Sequence, residues 1–128
     1  MVLPRHIKVG VVVFEDAFPT DFVGPLDILN TLKPESDASK ANDVSISSTI
    51  LASSLDPLRL WGGMKVVADQ TLQDAAAEEW DAVLVPGGRG ARPWLESNSA
   101  AQDFLKAVVP RTKVVLTGES LAPAFSGP

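Results

Sequence analysis

The tripeptide Gly118-Glu119-Ser120 follows directly on the run Val114-Val115-Leu116-Thr117. A strand running into a glycine turn is the device by which α/β enzymes raise a reactive side chain above a sheet. The side chains offered here are a carboxylate and a hydroxyl. The sequence contains no cysteine, so thiolate chemistry is closed to it. Two other strand ends carry groups of chemical interest. Glu15, Asp16 and Asp21 follow an apolar run that ends at Phe14, and Pro86-Gly87-Gly88-Arg89-Gly90 follows Asp81–Val85. Ligands of open α/β sheets bind beyond such carboxyl ends, and glycines let a backbone approach a ligand and aim N–H groups at it.

Each of these features has a plainer reading. The Gly87-Gly88-Arg89-Gly90 run is neither a dinucleotide fingerprint nor a P-loop; alone it reads as a tight turn between strand and helix. Arg89 suits an anionic or carbonyl substrate, and equally a solvated loop. Ser120 sits in Gly118-Glu119-Ser120-Leu121-Ala122, which looks like a serine-hydrolase elbow lacking its last glycine. The sole histidine, His6, precedes the first strand and is expected at the far edge of the sheet as a surface residue. Only eight residues follow Ser120, too few for the Asp and His that such an enzyme places after its serine. Ser120 is therefore expected to lend a pocket its backbone N–H and hydroxyl. One histidine, no cysteine and no clustered carboxylates beyond Glu15 and Asp16 give no metal site. Trp61, Trp80 and Trp94 read as core or boundary packing, or as lining of a pocket or dimer face.

The elements that must position these residues follow from patterning. Ile7–Phe14 is nearly continuous and β-branched, the composition of a strand buried on both faces. Phe22, Leu26, Leu29 and Leu32 predict a helix over Asp21–Leu32, with Gly24-Pro25 in its first turn. Lys33–Asn42 is a polar loop, and Val44–Leu51 a second strand. Leu58–Trp61, Gly62-Gly63 and Met64–Val67 predict a hairpin. Thr71–Trp80 reads as a short helix capped by Thr71 or Asp74, Asp81–Val85 as a buried strand, Ser99–Val109 as a helix and Lys113–Thr117 as the last strand. Strands alternating with helices make residues 1–128 one α/β domain with a mostly parallel sheet.

Composition narrows the partners. A net charge of -5 with 11 Lys+Arg and no basic cluster repels phosphate backbones, which argues against nucleic acid. Apolar runs are strand-sized, far short of a membrane span, and the N-terminus has no apolar signal core. The default is a cytoplasmic domain.

The stretch Val9–Leu29, with Asp-Phe-Val-Gly-Pro-Leu-Asp from Asp21, followed by Asp81-Ala-Val-Leu-Val-Pro-Gly-Gly-Arg-Gly, closely resembles the DJ-1/PfpI (ThiJ) superfamily. The nearer match is to its isocyanide-hydratase-like branch, over roughly residues 7–121. The resemblance implies a flavodoxin-like sandwich and a homodimer. It implies a nucleophilic cysteine at the elbow after the last strand, contacted by an acid from the segment after the first. The Gly87-Gly88 turn and the elbow amides would form an oxyanion-type pocket. An ungapped count places the elbow on Glu119, and a one-residue gap places it on Gly118 or Ser120; no register yields a cysteine. The family also continues through further strands and a helix, so the chain is expected to be a C-terminally shortened form, and Pro123 shortens the helix after the elbow.

Carried over by resemblance, Asp21 and Glu119 face each other across a partly dry cleft. Two carboxylates in hydrogen-bond range share a proton. The helix N-terminus favours charge on Glu119 by roughly 0.3–1 kcal/mol, leaving the proton to Asp21. Such a pair suits hydration, dehydration, isomerisation or cyclisation of a small organic molecule, with no cofactor. The plainer alternative makes Asp21 a helix N-cap and Glu119 a degenerate elbow residue. Two functions follow: a thiol-free acid/base enzyme binding substrate through Gly87, Gly88, Arg89 and Ser120, or a catalytically inactive module acting through oligomerisation or a partner chain.

Overall fold

The β-branched run near the N-terminus forms the central strand of a parallel sheet. The structure, a computed structural model, describes residues 5–31 and 44–118. In chain order the elements are β1 (Arg5–Val12), α1 (Thr20–Thr31), β2 (Val44–Ala52), β3 (Leu58–Arg59), β4 (Lys65–Val66), β5 (Gln70–Thr71) and α2 (Leu72–Ala75). They continue with β6 (Ala82–Val85), α3 (Ala91–Ser97), α4 (Ser99–Val108), a 3-10 turn at Val109–Arg111 and β7 (Val114–Thr117). Five strands pair in the order β5-β2-β1-β6-β7, every pair parallel. The chain thus starts in the middle, builds outward through β2 to β5, then crosses back to β6 and β7. Right-handed crossovers put α1 on one face of such a sheet and α2 with α4 on the other, and α2 and α4 pack together.

Val9, Val11, Val12, Val83 and Val85 are at most 1% exposed, as strands covered on both faces require. Helix α4 adds the stripe Ala101, Phe104, Leu105 and Val108, all buried, at the spacing of one helix face. Its N-cap is Asn98, whose Oδ1 accepts the Ala101 N–H at 3.0 Å. The hairpin β3–β4 turns through Gly62 and Gly63 at φ 92 and 95°, the left-handed region that the two glycines were expected to supply. No helix among the described residues is long and apolar enough to cross a membrane.

Several expectations change. Helix α2 ends at Ala75, well short of Trp80, although Thr71 caps it as expected by accepting the Asp74 N–H at 3.2 Å. Trp80 is the reason: its ring packs on Gly10 of β1, and its indole N–H donates to the Ala75 carbonyl at 2.9 Å. The same carbonyl accepts the Glu78 N–H at 3.0 Å, an i to i+3 bond of the kind that tightens a helix end. Pro25 falls in the second turn of α1 rather than the first, because the helix begins at Thr20; it removes the N–H that would bond the Asp21 carbonyl. His6 lies within β1, exposed, with its ring nitrogens 2.7 and 2.9 Å from the hydroxyls of Ser45 and Ser47 on β2. Helix α3 and strand β5 were not anticipated.

At the N-terminal end of the sheet, Lys8 lies over the Trp80 ring at 4.3 Å and pairs with Glu78 at 2.5 Å. The Lys8 hydrogen bond is the main cause holding the Glu78 carboxyl below its ordinary value of 4.5. A carboxylate whose folded pKa is depressed adds stability above the unfolded value and loses it as pH falls through the folded one. Both side chains are 32% exposed, so solvent screening keeps the effect small. Urea unfolding at a series of pH values should show Glu78→Gln less stable than wild type near neutrality. The gap should close below the ordinary carboxylate range; a gap unchanged into acid would contradict the assignment.

Candidate functional site

Beyond β1 the chain is sewn to two other loops. The Asp16 N–H donates to the Arg59 carbonyl at 3.0 Å, and the Trp61 N–H to the Ala17 carbonyl at 3.0 Å. On the other side, the Phe18 N–H donates to the Gly87 carbonyl at 2.9 Å, and Ala17 forms an antiparallel bridge with Gly88. Residues 16–18 are therefore a short ribbon between the β3–β4 hairpin and the Gly87-Gly88 turn. Gly88 has φ 144°, and a Cβ there would stand 2.4 Å from the Asp16 carbonyl oxygen. That position admits only glycine.

The ribbon leads into α1 and sets Asp21 in its first turn, half-buried. The side chain does not cap its own helix. Its Oδ2 accepts the Gly87 N–H at 2.9 Å, across 66 residues of sequence, so the plainer N-cap reading does not describe it. At the end of β7, the Gly118 N–H donates to the Val85 carbonyl at 2.8 Å. A Cβ on Gly118 would lie 2.1 Å from the Gly87 nitrogen and 2.7 Å from Asp21 Oδ2. The carboxylate is thus held between the backbones that leave β6 and β7, one acceptor oxygen fixed by an amide. A carboxylate at the ends of parallel strands is placed to exchange a proton with a ligand lying there.

The structure brings Asp21, Gly87, Gly88 and Gly118 together. Glu119 and Ser120 lie outside the described residues. Arg89 goes elsewhere: it is exposed, its guanidinium 5.0 Å from the Trp61 ring, and Trp61 meets Phe18 edge-on at 6.0 Å. Trp80 belongs to the core and Trp94 stacks on Phe14 at 4.8 Å. A cleft of about 610 Å3 opens over the ends of β1 and β2, and Asp21 and Gly118 take no part in its walls. Glu15, Asp16 and Arg89 line it, as do Ser53, Asp56 and Asn98, which no sequence spacing connected. Asn98, a capping residue at the start of a helix, was the one signal available.

Comparison with known proteins bears on this arrangement. The model of the DJ-1/PfpI family matches residues 7–117. Among curated proteins none matches the sequence. A ThiJ/PfpI family protein from Pseudomonas syringae superposes with a TM-score of 0.71 at 20% identity, over 88% of this chain and 41% of that one. A cysteine-to-alanine mutant of a DJ-1 superfamily protein from Salmonella typhimurium gives 0.69 at 23% identity, over 91% and 57%. Oxidized DJ-1 of Toxoplasma gondii gives 0.66 at 20% identity, over 87% and 54%. At these identities the likeness is one of fold, the α/β sandwich with its parallel sheet. The chain spans roughly half the length of these structures (41% to 57%).

Proposed function

This chain belongs to the DJ-1/PfpI family, and from that premise we propose that it is a small cofactor-free enzyme in which Asp21 and Glu119 carry out acid/base chemistry on a small organic molecule. One observation carries the reading. Oδ2 of Asp21 lies so close to Gly118 that a Cβ there would come within 2.7 Å of it, and Glu119 is the next residue in the chain. The acid after the first strand therefore lies beside the glycine that precedes, in sequence, the acid of the elbow. In such a pair one carboxyl protonates a substrate atom while the other takes a proton from water or from a second substrate atom.

The resemblance to the isocyanide-hydratase-like branch supplies the first reaction to assay. In hydration of an alkyl isocyanide, protonation of the terminal carbon by one carboxyl makes that carbon electrophilic. Water adds there, its proton passes to the other carboxylate, and tautomerisation gives the formamide. The products balance as isocyanide plus water, with no covalent enzyme intermediate. Isomerisation and dehydration need the same two proton positions. Asp21→Asn and Glu119→Gln are each expected to lose roughly a hundredfold to ten-thousandfold in turnover with the fold intact; full activity in both variants would end the carboxylate mechanism.

A second reading rests on a different observation. Strand β7 ends the described sheet and leaves Val114 and Leu116 47% and 42% exposed. Apolar side chains in that setting call for a covering surface, as in a catalytically inactive module that works by pairing with a copy of itself or a partner chain. Under this reading, light scattering coupled to size exclusion should return a dimer or larger species, and a stable monomer contradicts it.

A further inference from the structure

The order of strands reverses at β1: β2 and β5 lie on one side of it, β6 and β7 on the other. Loops that part at such a point leave a crevice, and open α/β sheets take ligands there. In this protein the crevice is the cleft of about 610 Å3, within the size range of small-molecule sites. Part of its lining is apolar, with Trp94 stacked on Phe14 at 4.8 Å and Pro57 and Pro93 beside them. Part is anionic, with Glu15, Asp16 and Asp56.

No cation among the described residues forms an ion pair with the anionic part. Among the described residues the one ion pair is Lys8–Glu78, so none of the three carboxylates has a cationic partner there. Arg89, which also lines the cleft, is turned onto the Trp61 ring. No three acidic or histidine side chains among the described residues converge as the ligands of a metal would. The complementary cation is therefore one carried on a larger molecule.

The walls are also fixed in place. Asn98 Nδ2 donates to Ser53 Oγ at 2.7 Å, tying the start of α4 to the loop after β2. Asp16 is held at φ 62°, the left-handed region that side-chain-bearing residues seldom occupy, by its N–H bond to the Arg59 carbonyl. We propose that this cleft is a ligand site separate from the Asp21 carboxylate, and that it takes a small organic amine. The ammonium group lies on the acidic side of the cleft, which Glu15, Asp16 and Asp56 line, and an apolar or aromatic body lies against Trp94. The inference does not depend on the acid/base reading of Asp21.

Three compounds of one shape and different charge test it: phenethylamine, 2-phenylethanol and phenylacetate, titrated into the full chain and followed by the indole N–H resonance of Trp94. Phenethylamine should shift that resonance saturably and bind at least roughly tenfold more tightly than the other two. The Glu15→Gln/Asp56→Asn variant, altered at two exposed positions, should lose the preference for the amine. Asp21→Asn should keep it. The proposal is overturned if the alcohol or the acid binds as well as the amine, or if no compound gives a saturable shift. It is equally overturned if the double variant retains the preference, or if Asp21→Asn removes it.

Discussion

Gly118→Ala is expected to destabilise the protein by about 3 kcal/mol and to lower its Tm by on the order of 10 °C. The added methyl would stand 2.1 Å from the Gly87 nitrogen and 2.7 Å from its Cα and from Asp21 Oδ2. Two of those three atoms are backbone, so no rotamer change relieves the overlap. Relief requires β7 to withdraw from β6, at the cost of the Gly118 N–H bond to Val85, or the Gly87 turn to move off Asp21. Thermal unfolding followed by circular dichroism measures the effect. A control at Gly24, where a Cβ meets nothing within 4 Å, should leave Tm unchanged or raised, since alanine is the better helix former. Equal Tm for Gly118→Ala and wild type would show that β7 does not press on the Asp21 carboxylate.

Replacing Asp21 separates its structural from its chemical role. Asparagine keeps an oxygen that can accept the Gly87 N–H, so Asp21→Asn should unfold within about 1 kcal/mol of wild type. Asp21→Ala leaves that part-buried N–H without its acceptor and should cost about 1–3 kcal/mol. Turnover should behave otherwise. Both variants lack the proton-transferring carboxyl, and both should lose roughly a hundredfold to ten-thousandfold in kcat. A rate that follows stability, with the asparagine variant active, would make the residue a strut and not a catalyst.

Much of the fold was legible because burial on both faces writes itself into composition. The runs Ile7–Phe14 and Asp81–Val85 could hardly be anything but central strands, and the Phe104-Leu105-Val108 face marked α4. The elements that escaped are held by long-range contacts. Strand β5 exists through its pairing with Leu51 and Ala52, which nothing in Gln70-Thr71 announces. Helix α3 begins with Ala-Arg-Pro, and although a first-turn proline suits a helix, proline marks turns and loops as readily. The length of α2 was set by Trp80 finding Gly10, a contact across the fold and invisible to local spacing.

The site divides along the same line. Asp21, Gly87 and Gly88 were legible from their places at strand ends and from the family resemblance. The Gly87–Asp21 hydrogen bond, which turns a possible helix cap into a carboxylate facing the sheet, was not, because it joins residues far apart in sequence. Arg89 illustrates the reverse: its place beside the glycines suited it to hold an anionic or carbonyl substrate, yet Trp61 offers a ring face on which the guanidinium lies. The cleft draws on three separate segments, in which only Glu15, Asp16 and Arg89 had been singled out for chemistry.

The distance between the carboxyl oxygens of Asp21 and Glu119, read from a crystal structure that resolves the elbow, tests the central claim most directly. The account requires one oxygen of each within about 2.5–3.0 Å of the other, shielded from bulk water beside Gly87. A Glu119 side chain directed into solvent, or separated from Asp21 by the sheet, would contradict it.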